Sequence, residues 1–134
     1  MATNGLITVV SNYPATETMD RLEAEVRARG MTVFARIDHA AGAAQAGLDL
    51  RPTEVMIFGN ARGGTPLMQA AQTIGIDLPL KALVWEDVAG KVWLTYNDPG
   101  WLARRHGLGA EAAQPVATLA AMLAAVASEA TTRP

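Results

Sequence analysis

The sequence predicts a single small α/β (α+β) domain: a two-layer sandwich in which a mixed five-stranded sheet carries helices mainly on one face. Three observations carry that expectation. Five short runs rich in apolar and β-branched residues punctuate the chain, at Leu6–Val10, Met31–Asp38, Val55–Phe58, Ala82–Glu86 and Val92–Tyr96. Helical segments separate the first four, and the last two follow one another as a hairpin, so the order reads β-α-β-α-β-α-β-β-α-α. Half of the 134 residues are apolar, enough for a core that needs no covalent staple.

Leu6–Val10 is a continuous apolar run and reads as a buried strand. After the turn at Ser11–Pro14, Met19, Leu22 and Val26 fall at helical spacing on one face. Acids lead and arginines trail in that segment, as the helix dipole favours. Glu23–Arg27 and Glu25–Arg29 have the spacing and order of supporting ion pairs, and Gly30 ends the helix. In the second strand Val33, Ala35 and Ile37 share one face, and Arg36 and Asp38 the other. A short alanine-rich helix, His39–Ala46, closes at Gly47. Val55–Phe58 is apolar on both faces and reads as central.

Gly59–Gly64 reads as a loop, followed by Thr65 as N-cap and Pro66 as first helical residue. Leu67, Ala70, Ala71 and Ile74 then form a helical stripe that Gly75 ends. The hairpin turns at Asp87–Gly90, which makes Trp85 and Trp93 candidate cross-strand neighbours. Asp98-Pro99 opens a short helix that closes at Gly107. A last helix starts near Pro115, with Val116, Leu119, Met122, Leu123 and Val126 on one side and mostly alanine on the other; Ala130–Pro134 is expected to fray. The domain proper is read as residues 1–107, and 108–134 as a helical extension that docks on it or on a second subunit.

The totals exclude several classes of function. With no cysteine there is no disulfide, thiolate nucleophile or sulfur-bound zinc. A net charge of −2 and a pI near 5.6 leave no basic footprint for nucleic acid or anionic lipid. The opening Met1–Gly5 lacks the basic region of a signal peptide, and no apolar run approaches the ~20 residues of a membrane span. The expected location is the cytoplasm, with neither a nucleic-acid nor a membrane partner.

Several short motifs together resemble one family. They are Phe58-Gly59-Asn60, Gly64-Thr65-Pro66-Leu67-Met68, Asp77-Leu78-Pro79-Leu80-Lys81, and Val84-Trp85-Glu86-Asp87 with Gly90-Lys91-Val92. Arg36-Ile37-Asp38-His39 with Gly47-Leu48 fits the same pattern. From Leu6 to Tyr96, and more weakly to His106, the chain resembles the domain of unknown function 302. The resemblance implies a two-layered α/β domain with a topology likened to the TATA-binding-protein fold, usually a homodimer. It brings no activity with it. Some members carry cysteines near the Gly59-Asn60 loop, which this chain lacks.

Two places could host a ligand. The Gly59–Pro66 segment runs from a strand to a helix N-terminus, where free N–H groups favour an anion; Arg62 adds charge, and Gly63 and Gly64 permit close approach. It is neither a Walker loop nor a dinucleotide fingerprint. Asp38-His39 at a strand end offers an acid and a base, although Asp38 also suits a helix N-cap. The candidate ligand-binding residues are therefore Asp38, His39, Asn60, Arg62, Gly64 and Thr65. His106 follows Arg104 and Arg105 at a helix end, where cations suit the dipole. No metal-ligand spacing or Ser/His/Asp series can be assembled, so no catalytic residue, metal or cofactor is assigned. Three readings stand: a self-associating domain that binds a small or anionic ligand, an enzyme in which Asp38, His39, Asn60, Arg62 and Thr65 converge, and a partner-binding module that presents Trp85, Trp93 or Trp101.

Overall fold

The structure, a computed structural model, describes residues 4–134; Met1-Ala2-Thr3, part of the opening read above, lie outside the described residues. The strands are β1 (Leu6–Ser11), β2 (Thr32–Asp38), β3 (Thr53–Gly59), β4 (Leu80–Glu86) and β5 (Val92–Asn97). The helices are α1 (Ala15–Ala28), α2 (His39–Gln45), α3 (Ala61–Ala70), α4 (Pro99–Arg105) and α5 (Ala113–Thr131), with 3-10 turns at Gln72–Asp77 and Ala110–Ala112. The strands form one open sheet in the order β1-β5-β4-β3-β2.

Every pairing in that sheet is antiparallel, which corrects the expectation of a mixed sheet. A parallel crossover needs its helix to run back along a sheet face. α2 has seven residues and buries none of them. It turns the chain at the end of the sheet, and β3 re-enters beside β2 in the opposite direction. The segment from α3 through the 3-10 turn does the same between β3 and β4. The first strand is also not buried: β1 is an edge strand with Leu6 and Val10 exposed. β4, rather than β3, is the middle strand.

A register shift between Val33 and Ala35 divides β2. Val33 pairs with Phe58 and Arg36 with Met56, both of which are buried, so Val33 and Arg36 face the helices. Ala35 and Ile37 face away. The bulge thus separates Val33 from the two residues expected beside it, and Phe34 at the bulge is 56% exposed.

The core lies between one sheet face and the pair α1 and α5. Met56, Phe58, Ala82, Val84 and Leu94 meet Met19, Leu22 and Val26 of α1 and Leu123, Val126, Ala127 and Ala130 of α5. Fraying from Ala130 onward is corrected for the first two residues: Ala130 and Thr131 are buried, and Asn12 N–H donates to the Thr131 carbonyl at 2.8 Å, while residues 132–134 lie exposed beyond the helix. Residues Ala110–Thr131 are long and apolar enough to cross a membrane by length and composition alone, with a mean hydropathy of 1.4 over an 18-residue stretch. That corrects the reading that no run approaches such a length. In the fold this stretch supplies core residues instead.

The other sheet face carries no helix. Leu6 and Val10 of β1, Trp93 of β5, Leu83 and Trp85 of β4, Val55 and Ile57 of β3, and Ile37 of β2 share it by register. Trp85 and Trp93 are cross-strand partners with ring centroids 6.2 Å apart.

Candidate ligand-binding site

The sequence candidates divide between the two ends of the β2–β3 ladder. Thr32 pairs with Gly59 at one end and Asp38 with Glu54 at the other. Asn60 lies just beyond the first end and Asp38 closes the second. Six residue steps along β3 place them about 20 Å apart. The proposed convergence of Asp38 and His39 with Asn60, Arg62 and Thr65 is therefore corrected. The strand direction puts the two groups at opposite ends.

At the Asp38 end the polar groups satisfy one another. Asp38 caps α2 by accepting from Ala41 N–H at 2.9 Å, and His39 is exposed. Arg36 reaches Glu54 through both Nε and Nη2 at 3.0 Å, and its Nη1 donates to Asp20 at 2.9 Å and Glu23 at 3.0 Å. The bidentate bond to Glu54, more than any other contact, holds the guanidinium even more firmly protonated than usual. Glu23 is held below the ordinary glutamate value, first by its bond from Arg36 and then by Arg27.

The Asn60 end is different. The Asn60 carboxamide oxygen accepts from Gly63 N–H at 2.7 Å, so Asn60 is the N-cap of α3. This corrects the Gly59–Gly64 loop and the Thr65 cap: the helix starts at Ala61, and Pro66 lies inside it. An asparagine followed by three small or flexible residues caps as well as a threonine does, and it does so one turn earlier. α3 also ends at Ala70; Ala71 is extended, and the Gln72–Asp77 turn carries Ile74 into the core of α3 and α4.

α3, α5 and the end of the β2–β3 ladder enclose a cleft of about 450 Å3. Gly63, Gly64 and Met68 of α3 form one wall, Leu78 and Pro79 another, and Leu119 and Met122 of α5 the roof. The exposed Arg29, Phe34 and Asn60 form its rim, with the buried Met31 behind them. Thr65 and Thr118 are its other polar side chains. Of the sequence candidates, Asn60, Gly64 and Thr65 line it; Arg62 lies exposed on α3 and does not. Neither Gly63 nor Gly64 has a positive φ, so their value is space. A Cβ on Gly64 would meet Leu78 at 3.5 Å and Met68 at 3.7 Å, at ordinary contact distance inside the cleft.

A further polar cluster was not foreseen. The Asp77 carboxylate accepts two 3.0 Å bonds from Arg105 and one from His106 Nε2, while His106 Nδ1 lies 3.0 Å from the Thr73 hydroxyl. A neutral ring protonated at Nε2 lets Thr73 donate to Nδ1. The series has the connectivity of a nucleophile, base and acid, but none of the three lines the cleft. It ties the C-terminal end of α4 to the Gln72–Asp77 turn. The basic pair at the helix end and the Asp77 motif were both legible; their meeting across 28 and 29 residues was not.

Comparison with known proteins places this geometry. Residues 7–126 match the family described as domain of unknown function DUF302. The chain belongs to the DUF302 family. The match runs past His106 through most of α5, farther than the motifs alone reached. The DUF302 fold is also that of the crystal structure of an uncharacterized conserved DUF302 protein from Bacillus stearothermophilus. The two superpose with a TM-score of 0.85 at 21% identity, over 96% of this chain and 99% of that one. Among curated proteins, the DUF302 domain is 58% identical over 106 residues to a protein of Brucella suis biovar 1 (strain 1330) named fluoride-specific ion channel FluC 1. A Brucella abortus biovar 1 (strain 9-941) protein of the same name is equally similar. The matched segment covers 79% of this chain but only 42% and 39% of those relatives.

Proposed function

We propose that this DUF302 domain is a binding module for a small, largely apolar molecule. The cleft of about 450 Å3 carries this reading. Its size falls in the range of small-molecule sites, and an apolar wall with a few polar groups is their usual composition. The separation of His39 and Asp38 from Asn60 and Thr65 favours binding over an enzyme built from those five residues. Titration with the neutral dye Nile red, followed by fluorescence, tests the reading. Saturable binding is expected, lost in Met122→Trp with the far-ultraviolet circular dichroism unchanged. Dye binding that survives in that variant overturns the cleft as its site.

A second reading, self-association, is favoured by the bare sheet face. Five strands about 4.8 Å apart and six residues long present roughly 480 Å2, a patch of the size that marks an interaction surface. We assign it to a second copy of the chain. Two such faces remove about 1,000 Å2, the lower bound for a specific interface. Of the lysines at this face, Lys81 donates to the Asp77 and Pro79 carbonyls and Lys91 lies over the Trp93 ring, 5.3 Å from its centroid; the apolar residues between them can meet their own copies. Light scattering should give a dimer and Leu83→Glu a monomer; a wild-type monomer at micromolar concentration removes this reading.

The channel name belongs to the Brucella relatives, more than half of whose length lies outside the match. A membrane-spanning structure needs helices or a closed barrel; the fold here is an open sheet with two edges, and its long apolar helix α5 contributes Leu123, Val126, Ala127 and Ala130 to the core. That supports reading it as an appended domain that binds a ligand beside a channel.

A further inference from the structure

We infer that the ligand of this cleft is an amphipathic carboxylate, with its alkyl body under α5 and its anionic head at the Arg29–Asn60 rim. The inference rests on the cleft being a binding site and names the chemistry it selects. Arg29 lies three residues before Thr32, Asn60 one residue after Gly59, and Thr32 and Gly59 are paired. The two side chains therefore stand past the same end of the ladder, and both line the cleft. Of the other arginines near this edge, Arg27 bonds Glu23, and Arg62 is exposed on α3 and does not line the cleft. Arg29 has no carboxylate partner among the described residues. The oxygen of the Asn60 carboxamide is occupied by the Gly63 N–H, which leaves its NH2 group as a donor.

An unpaired cation and an amide donor on one rim suit a carboxylate, and no acidic side chain lines the cleft. Behind the rim the lining is apolar and adaptable, with Met31, Met68 and Met122 among its residues. At roughly 30 Å3 for each water-sized group, the volume admits on the order of 15 non-hydrogen atoms, which suits an unbranched chain of about ten carbons.

Isothermal titration of the full chain with decanoate and with 1-decanol tests this. Decanoate should bind about tenfold more tightly than decanol, and the advantage should shrink as salt rises. Arg29→Gln should erase the difference by weakening decanoate alone. Asn60→Asp keeps the helix cap, because aspartate caps as well as asparagine, but replaces the donor with a negative charge; it too should weaken decanoate and spare decanol. Equal affinities in the wild type, or a preference that survives Arg29→Gln, would overturn the head-group assignment while leaving the cleft a binding site. If neither compound binds, the cleft reading falls with it.

Discussion

At each end of the β2–β3 ladder an Asx side chain caps a helix, yet only one end encloses a cavity. Asp38 caps α2, which is short and buries nothing, and the nearby charges are absorbed by Arg36. Asn60 caps α3, whose first turn carries Gly63 and Gly64 and whose flank is roofed by α5. The polar residues that drew notice in the sequence are similar at the two ends. The difference lies in what covers them: glycine leaves space and a second helix encloses it. A candidate site is thus located by the walls around a polar group more than by the group itself.

The largest expected effect comes from breaking the self-satisfied end. Arg36→Met leaves Glu54 without its cation and Glu23 with Arg27 alone, and both carboxylate side chains are about a quarter exposed or less. Removing one partner of a fully buried pair costs about 3–5 kcal/mol. Partial exposure here lowers that to about 1–3 kcal/mol, read as a fall in urea midpoint. Ligand binding at the other end should not change; a loss of binding would mean that the two ends are not independent. The pH dependence follows from Glu23. Its folded value lies below the ordinary 4.5, chiefly through Arg36. Its stabilising contribution is full above 4.5 and is lost as pH falls through the lower folded value. Arg36→Met removes the main cause, so the variant should lose less stability than the wild type between about pH 6 and about pH 3.

The caps come next. Asp38→Ala and Asn60→Ala should each cost about 1 kcal/mol, since each removes one side-chain acceptor from a helix N-terminus. Equal thermal destabilisation with decanoate binding weakened only in Asn60→Ala would sharpen the contrast. Gly64→Ala should act in the opposite direction. It removes a glycine from a helix, worth up to about 0.5–1 kcal/mol of stability, and places a methyl group against Leu78 and Met68. A higher melting temperature together with weaker binding of the dye would mark Gly64 as kept for space at the expense of stability.

How much of this was legible follows the range of the physics. Helical spacing placed Met19, Leu22 and Val26 in the core, and turn chemistry placed the Trp85–Trp93 hairpin. These are local signals. Strand direction was not local: nothing in residues 39–46 says that their helix lies beyond the sheet instead of on it, and the antiparallel order depends on that. The bulge at Phe34 shifted one face of β2 by a residue that the alternation does not mark. Asn60, Gly64 and Thr65 were read as one segment and line one cleft, although the cap was assigned to Thr65 instead of Asn60. Arg29 was read only as a charge at the end of a helix. Its place on the rim depends on Thr32 pairing with Gly59, a contact between distant parts of the chain.

The smallest expected effect belongs to Arg62, and it decides how the charge at this end acts. Arg62 lies on the same helix as Gly63 and Gly64, but it is exposed and does not line the cleft. If the head group is read by direct contact, Arg62→Gln should leave decanoate affinity within about twofold, because exposed charges outside a contact are weakened by solvent and salt. Stability should change by no more than about 0.5 kcal/mol, as for other exposed surface positions. If Arg62→Gln instead weakens decanoate as much as Arg29→Gln does, the carboxylate responds to a diffuse positive field over α3, and the Arg29–Asn60 rim loses its special place. Comparing the two variants at low and high salt separates these cases, since a diffuse field fades with salt for both, whereas a contact keeps Arg29 distinct.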